Sequence, residues 1–212
     1  ENAGTIAPGN SVGRMTINGD YRQTSTGRLQ AEFDAAGTHD VLTVSGRVDL
    51  SGTLELAAEP DWYSSTWAVS TGSLIEAPSI NGNFDTVRVA ATSPTLSFSA
   101  GSEGGQRWRL TATRPGNAYT RHAGNSNDLA VARTLQALAD AGAPAAQHLF
   151  SALDFSATDG SEVTHLLTQA APSGYGALMA ASVQRDRDIM NTARQGFGQG
   201  LRQPGTNWTG FA

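Results

Sequence analysis

The sequence predicts a mainly β protein: a first half of many short strands, best read as a parallel solenoid, followed by a helical second half. Three observations carry that expectation. From Ser11 to about Arg114 apolar and polar residues alternate, the period of a strand. Glycine-bearing corners recur at short intervals, as in Val44-Ser45-Gly46 and Leu50-Ser51-Gly52. After Pro115-Gly116 the chain turns Ala-rich and takes up the period of a helix.

The strand signals, in order, are Met15/Ile17, Leu29/Ala31/Phe33, Leu42/Val44, Val48/Leu50, Leu54/Leu56, Trp67/Val69, Val87/Val89, Leu96/Phe98 and Trp108/Leu110. Two architectures suit so many short strands, a β-sandwich and a parallel solenoid. The shortness of the strands and the recurring corners favour the solenoid, although no strict repeat length emerges. Asn81-Gly82 is the best hairpin signal and suggests that coil geometry ends after about Trp62.

The helical half begins at Asn125. Ser126 or Asn127 is the expected N-cap, with Leu129, Ala132, Leu135 and Leu138/Ala139 on one face. Gly142 and Pro144 break this helix, and Leu149, Phe150 and Leu153 mark the next. Asp159-Gly160-Ser161-Glu162 then reads as a start signal before Val163, Leu166 and Leu167. A last helix is expected from about Tyr175 to Arg194. It is small and apolar around Leu178 and strongly charged through Arg185-Asp186-Arg187-Asp188.

Composition narrows the function. The 212 residues carry a formal net charge of −5, with no basic footprint for nucleic acid. All 14 basic residues counted as Lys+Arg are arginines. With no cysteine, disulfide frameworks and thiolate metal sites are out. A cysteine-free chain also suits export in an unfolded state through a narrow pore. No apolar stretch is long enough for a transmembrane helix. The opening at Glu1, inside apparent structure, reads as that of an excised fragment.

Catalytic motifs are weak. Gly9-Asn10-Ser11-Val12-Gly13 matches the nucleophile elbow, but a strand and a turn follow where a helix is required, so a corner is the better reading. His39, His122, His148 and His165 share no metal-ligand spacing, and His39-Asp40 reads as an exposed turn. Gly196, Gly198 and Gly200 lack the strand that a phosphate loop needs, and Asn125-Ser126-Asn127-Asp128 caps a helix better than it binds calcium. No enzyme activity, cofactor or metal is expected. Trp62, Trp67, Phe84 and Trp108 are spaced more like core or cap residues than a carbohydrate platform.

The order of these features resembles a known family. Gly4 to Gly13, then Met15-Thr16-Ile17-Asn18-Gly19-Asp20-Tyr21, is similar to the PGNS-x-G-x-L-x-V-x-G-x-Y stretch in the C-terminal passenger region of type V (classical) autotransporters. Gly27 to Phe33, Asp40 to Gly46, Leu50 to Leu54 and Ile80 to Val87 continue the likeness. Asn127 to Leu138, Leu166 to Gln169 and Tyr175 to Arg187 resemble the pre-barrel linker, and Gln199 to Phe211 the approach to the first barrel strand. Asn191-Thr192 departs from the Asn-Asn pair at which some members self-cleave.

The resemblance implies a right-handed parallel β-helix with a C-terminal cap, followed by an α-helical linker: β-helix rungs over 1–61, an autochaperone and capping segment over 62–114, the α-helical linker over 115–200 and the start of the first barrel strand over 201–212. It implies a folding and capping core at Trp62, Trp67, Phe84, Val87, Trp108 and Leu110. It also implies a pore-spanning helix bearing Tyr175, Leu178, Arg185, Arg187 and Arg194. About 20 helical residues span ~30 Å, the apolar thickness of a bilayer. The implied role is passenger folding and export to the surface of a Gram-negative bacterium through the periplasm and outer membrane. The implied partners are the protein's own outer-membrane β-barrel, absent from this chain, the outer-membrane assembly machinery and, on the outside, a host surface. The alternatives are an adhesive solenoid that meets a host glycan or protein, or the non-catalytic tail of an upstream protease or esterase.

Overall fold

A computed structural model describes residues 1–90, 93–171 and 184–191. It is mainly strands in parallel sheets, with helices after them. The strands are β1 (Thr5–Ile6), β2 (Arg14–Ile17), β3 (Tyr21–Arg22), β4 (Arg28–Phe33), β5 (Val41–Val44), β6 (Arg47–Leu50) and β7 (Thr53–Ala58). They continue as β8 (Ala68–Ser70), β9 (Ile75–Glu76), β10 (Ser79–Gly82), β11 (Thr86–Val89), β12 (Ser97–Gly104) and β13 (Arg107–Thr113). The helices are α1 (Ser126–Asp140), α2 (Gln147–Asp154) and α3 (Ser161–Ala170), and residues 184–191 are also helical.

The chain passes repeatedly through three parallel sheets, ordered β1-β4-β7-β11, β2-β5-β9 and β3-β6-β10. In-register pairing lines up like residues from pass to pass. Ile6, Leu29, Leu54 and Val87 form one ladder, Met15, Leu42 and Ile75 a second, and Tyr21, Val48 and Ile80 a third. The middle members Leu29, Leu42, Leu54 and Val48 are fully buried. Burial on one face only is what the alternation in the sequence requires. On the other face Glu55 lies within reach of both Arg28 and Arg88.

The strands are short because the chain must turn between sheets. At Gly52 the backbone has φ +71°, and an added Cβ would lie 2.4 Å from the Gly27 carbonyl oxygen, so only glycine suits the corner. The uneven repeat has a simple source. Where β4 and β5 are joined by a short loop, residues 59–74 lie between β7 and β9 and contain β8.

Asn81-Gly82 makes no hairpin. β10 stays parallel to β6, and β11 follows parallel to β7. Gly82 has the positive φ, +77°, that the dipeptide favours, but uses it to turn a corner. Asp85 then fastens the next strand, accepting hydrogen bonds from Ser51 Oγ at 2.7 Å and the Gly52 amide at 2.5 Å. Parallel pairing therefore runs past Trp62 to Val89. The hairpin lies later, between β12 and β13 around Gly104-Gly105-Gln106, and β8 pairs with β13 to complete an antiparallel sheet. Two face-packed antiparallel sheets, the other architecture open to the sequence, do not form among the described residues.

The helices begin and end close to the expected signals. Asn125, one residue before the expected cap, accepts from the Asn127 amide at 2.9 Å and the Asp128 amide at 3.0 Å. Ala132, Leu135 and Ala139 of α1 are buried with Phe150, Leu153, Val163 and Leu167, forming a second apolar cluster together with Ala118 and Tyr119. Leu138 stays exposed.

Candidate functional site at the strand–helix junction

The residue insert between β7 and β9 supplies two neighbours with opposite allegiances. Tyr63 turns into the strand core and is fully buried, its hydroxyl donating to the Glu59 carbonyl at 3.1 Å. Burial holds its phenol above the ordinary tyrosine range, with Asp61, Asp34 and Glu59 adding to the effect. Around it stand Trp67 at 4.9 Å, Phe98 at 5.1 Å and Phe155 at 5.9 Å between ring centroids. Phe33 stacks on Trp67 at 5.9 Å, and Trp67 Nε1 donates to the Ala35 carbonyl at 2.8 Å. Trp62 turns the other way. Its ring lies 5.3 Å from Phe150, within the helical cluster.

Between the two aromatic groups sits an ion pair with no solvent exposure on either side chain. Arg114, just past β13, donates from both terminal nitrogens to the two Asp154 carboxylate oxygens, each at 2.7 Å. The guanidinium also donates to Tyr119 Oη at 2.8 Å and to the Tyr63 carbonyl at 3.3 Å. Its carbon lies 5.4 Å from the Trp62 ring centroid and 5.5 Å from that of Tyr119. Thr95 Oγ1 donates to Asp154 from the strand side. Burial by itself would lower the Arg114 pKa, and the bonds and charge of Asp154 outweigh it and raise the value. A forked donor matched to a carboxylate in a dry site is the geometry in which arginine holds its partner most firmly.

The six residues expected to form the cap divide among different places. Trp67, Phe84 and Val87 are half-buried against the strand core, and Trp108 and Leu110 are buried in it. Trp62 belongs with the helices. Trp108 and Phe84 line a small cleft of ≈ 230 Å³ beside the hairpin tip. Trp108 is anchored by its amide, which donates to Thr71 Oγ1 at 2.9 Å, and by its carbonyl, which accepts from the Thr71 amide at 2.8 Å. Arg185 and Arg187 are exposed on the helical residues 184–191. Tyr175, Leu178 and Arg194, and all of 201–212, lie outside the described residues.

No protein-family model matches the chain, and no curated protein matches it.

Of the catalytic look-alikes, the Gly9–Gly13 segment and His39 are engaged in holding loops, and Gly196, Gly198 and Gly200 lie outside the described residues. Ser11 Oγ donates to Glu59 at 2.6 Å, the Val12 amide donates to the same oxygen at 3.0 Å, and the Gly13 amide donates to Asp40 at 2.6 Å. The Gly9–Gly13 segment is thus pinned by two carboxylates, and a strand follows it. His39 bonds the Asp40 carbonyl through Nδ1 at 2.9 Å and accepts from the Gly72 amide through Nε2, also at 2.9 Å, so neither nitrogen faces Ser11. Among the described residues no three His, Asp or Glu side chains gather as metal ligands. Sequence reasoning missed Tyr63, Arg114, Tyr119, Asp154 and Phe155. The one signal available was an arginine directly before the Pro115-Gly116 break.

Proposed function

We propose that this chain is the C-terminal part of an autotransporter passenger, a right-handed parallel β-helix whose closed end supports folding of the rest and so its export across the outer membrane. The three parallel sheets are then the faces of a solenoid, and each pass is a coil. The observation that carries this reading is the difference between the first pass and the last. Among the described residues, β1 and β2 each pair on one side only, and the outer side of β3 is met by Asn2, whose amide donates to the Arg22 carbonyl at 2.7 Å, so the open row of edges is Asn2, β1 and β2. Among the described residues β9, β10 and β11 also pair on one side only, but β12 packs against β11, the Leu74 amide just before β9 donates to the Gln106 carbonyl at 3.0 Å, and Tyr63 packs on Phe98 of β12.

An unpaired strand edge is a template for another strand, and in a solenoid each coil rests on its neighbour. A closed C-terminal end therefore lets order spread back towards the N-terminus without ATP. The aromatic residues also favour a folding role over a glycan platform, because Trp67, Trp108 and Tyr63 point into packed surroundings. The partners on this reading are the protein's own barrel and the outer-membrane assembly machinery. No catalytic role is assigned to the chain.

Deleting residues 62–110 from the full-length protein is expected to abolish surface display of protease-resistant passenger. Undiminished display would overturn the proposal. A hydrolase assay on the chain is expected to be blank, and Ser11→Ala to change nothing.

A further inference from the structure

The strand core and the helical core trade one aromatic residue each. Phe155, at the end of α2, is the residue beyond β13 that packs into the strand cluster, at 5.9 Å from Tyr63 and 6.2 Å from Phe98. Trp62, from the insert before β8, packs into the helical cluster. The buried Arg114–Asp154 pair lies between them, and its surroundings come from both sides: Tyr63 and Thr95 from the strand region, Tyr119 from the approach to α1. Ser65 adds a rim contact, donating to Asp140 of α1 at 2.8 Å.

We infer that the end of the strand region is a socket built for a carboxylate followed by an aromatic ring, and that Asp154-Phe155 is the segment that fills it. Arg114 receives the carboxylate, and Tyr63 with Phe98 receives the ring. Without that segment the buried guanidinium loses its bonded carboxylate and keeps only the Tyr119 hydroxyl, the Tyr63 carbonyl and the unbonded charge of Asp140, so the antiparallel cap and the helices form as one cooperative unit. The cap is therefore complete only when residues some 40 positions beyond Arg114 have arrived. On the export reading, which this step rests on, Asp154-Phe155 clears the pore ahead of the strands it caps, and the passenger's closed end locks once the chain back to Trp62 has followed it.

Hydrogen exchange on the full chain tests the coupling. In Asp154→Ala, amides of β8, β12 and β13 are expected to exchange faster by roughly a hundredfold or more, together with those of α1–α3. That is the scale of leaving one buried charge unpaired. Helices that loosen while β8, β12 and β13 keep wild-type protection would overturn the inference. If Asp154→Ala fails to fold, the apolar pair Arg114→Met with Asp154→Leu is read instead. It is expected to restore protection in both regions together, and recovery of one region alone would overturn the inference as well. Uncoupled exchange would leave the surface-display test of the export role unaffected.

Discussion

The strand region and the helical region reach their cores by different routes. In the strands, each buried residue sits above its counterpart from the previous pass, as Leu42 lies between Met15 and Ile75. Such contacts are distant in sequence, and closing the loops between them costs entropy before any contact forms. In the helices, Ala132, Leu135 and Ala139 share a face through local geometry alone, and α1–α3 fill a small core around Phe150. The slow, non-local region is thus joined to a fast, local one by a dry ion pair. The difference teaches that the helices are well placed to stabilise the end of the strands once they dock.

The comparison can be broken most forcefully at the cores. Phe150→Ala is expected to cost about 3–5 kcal/mol, and, if the regions are coupled, to lower the urea midpoint seen in β-sheet signals as well as in helical ones. Leu42→Ala, in the middle of a ladder, is expected to cost about 2–5 kcal/mol by the same measurement. Asn125→Ala removes the α1 cap and is expected to cost about 1 kcal/mol, read from helical circular dichroism on urea titration.

The smallest effect is one of pH. The backbone bond from Gly52, then the Ser51 hydroxyl, hold the Asp85 carboxyl below the ordinary aspartate range. Its folded value is below its unfolded value, so its contribution is present above the unfolded value and is lost as pH falls through the folded one. Denaturation midpoints measured across the acid range should fall less steeply in Asp85→Asn than in the wild type.

Much of the strand region was legible, because the alternation at Leu29/Ala31/Phe33 or Leu54/Leu56 states which face is buried. β1, β3 and β9 were not, since two residues hold no period. Asn81-Gly82 misled because a positive φ serves a corner as well as a hairpin, and only the register of Thr86–Val89 on β7 decides between them. Of Leu138 and Ala139, both expected on the packed face of α1, Ala139 is buried there and Leu138 is exposed. The candidate site was the least legible part. Arg114 and Asp154 are ordinary charged residues far apart in sequence, and nothing local marks them as partners. Tyr63 was overshadowed by its tryptophan neighbours, one of which packs on the opposite side of the joint.

The central claim is that strands and helices make one cooperative structure through this joint. Urea denaturation of the full chain, followed at once by tryptophan fluorescence and by circular dichroism at a helical wavelength, tests it most directly. A single transition with coincident midpoints is expected. Two separated transitions, with the helical signal lost while the fluorescence of Trp67 and Trp108 in a Trp62→Phe background is unchanged, would contradict it.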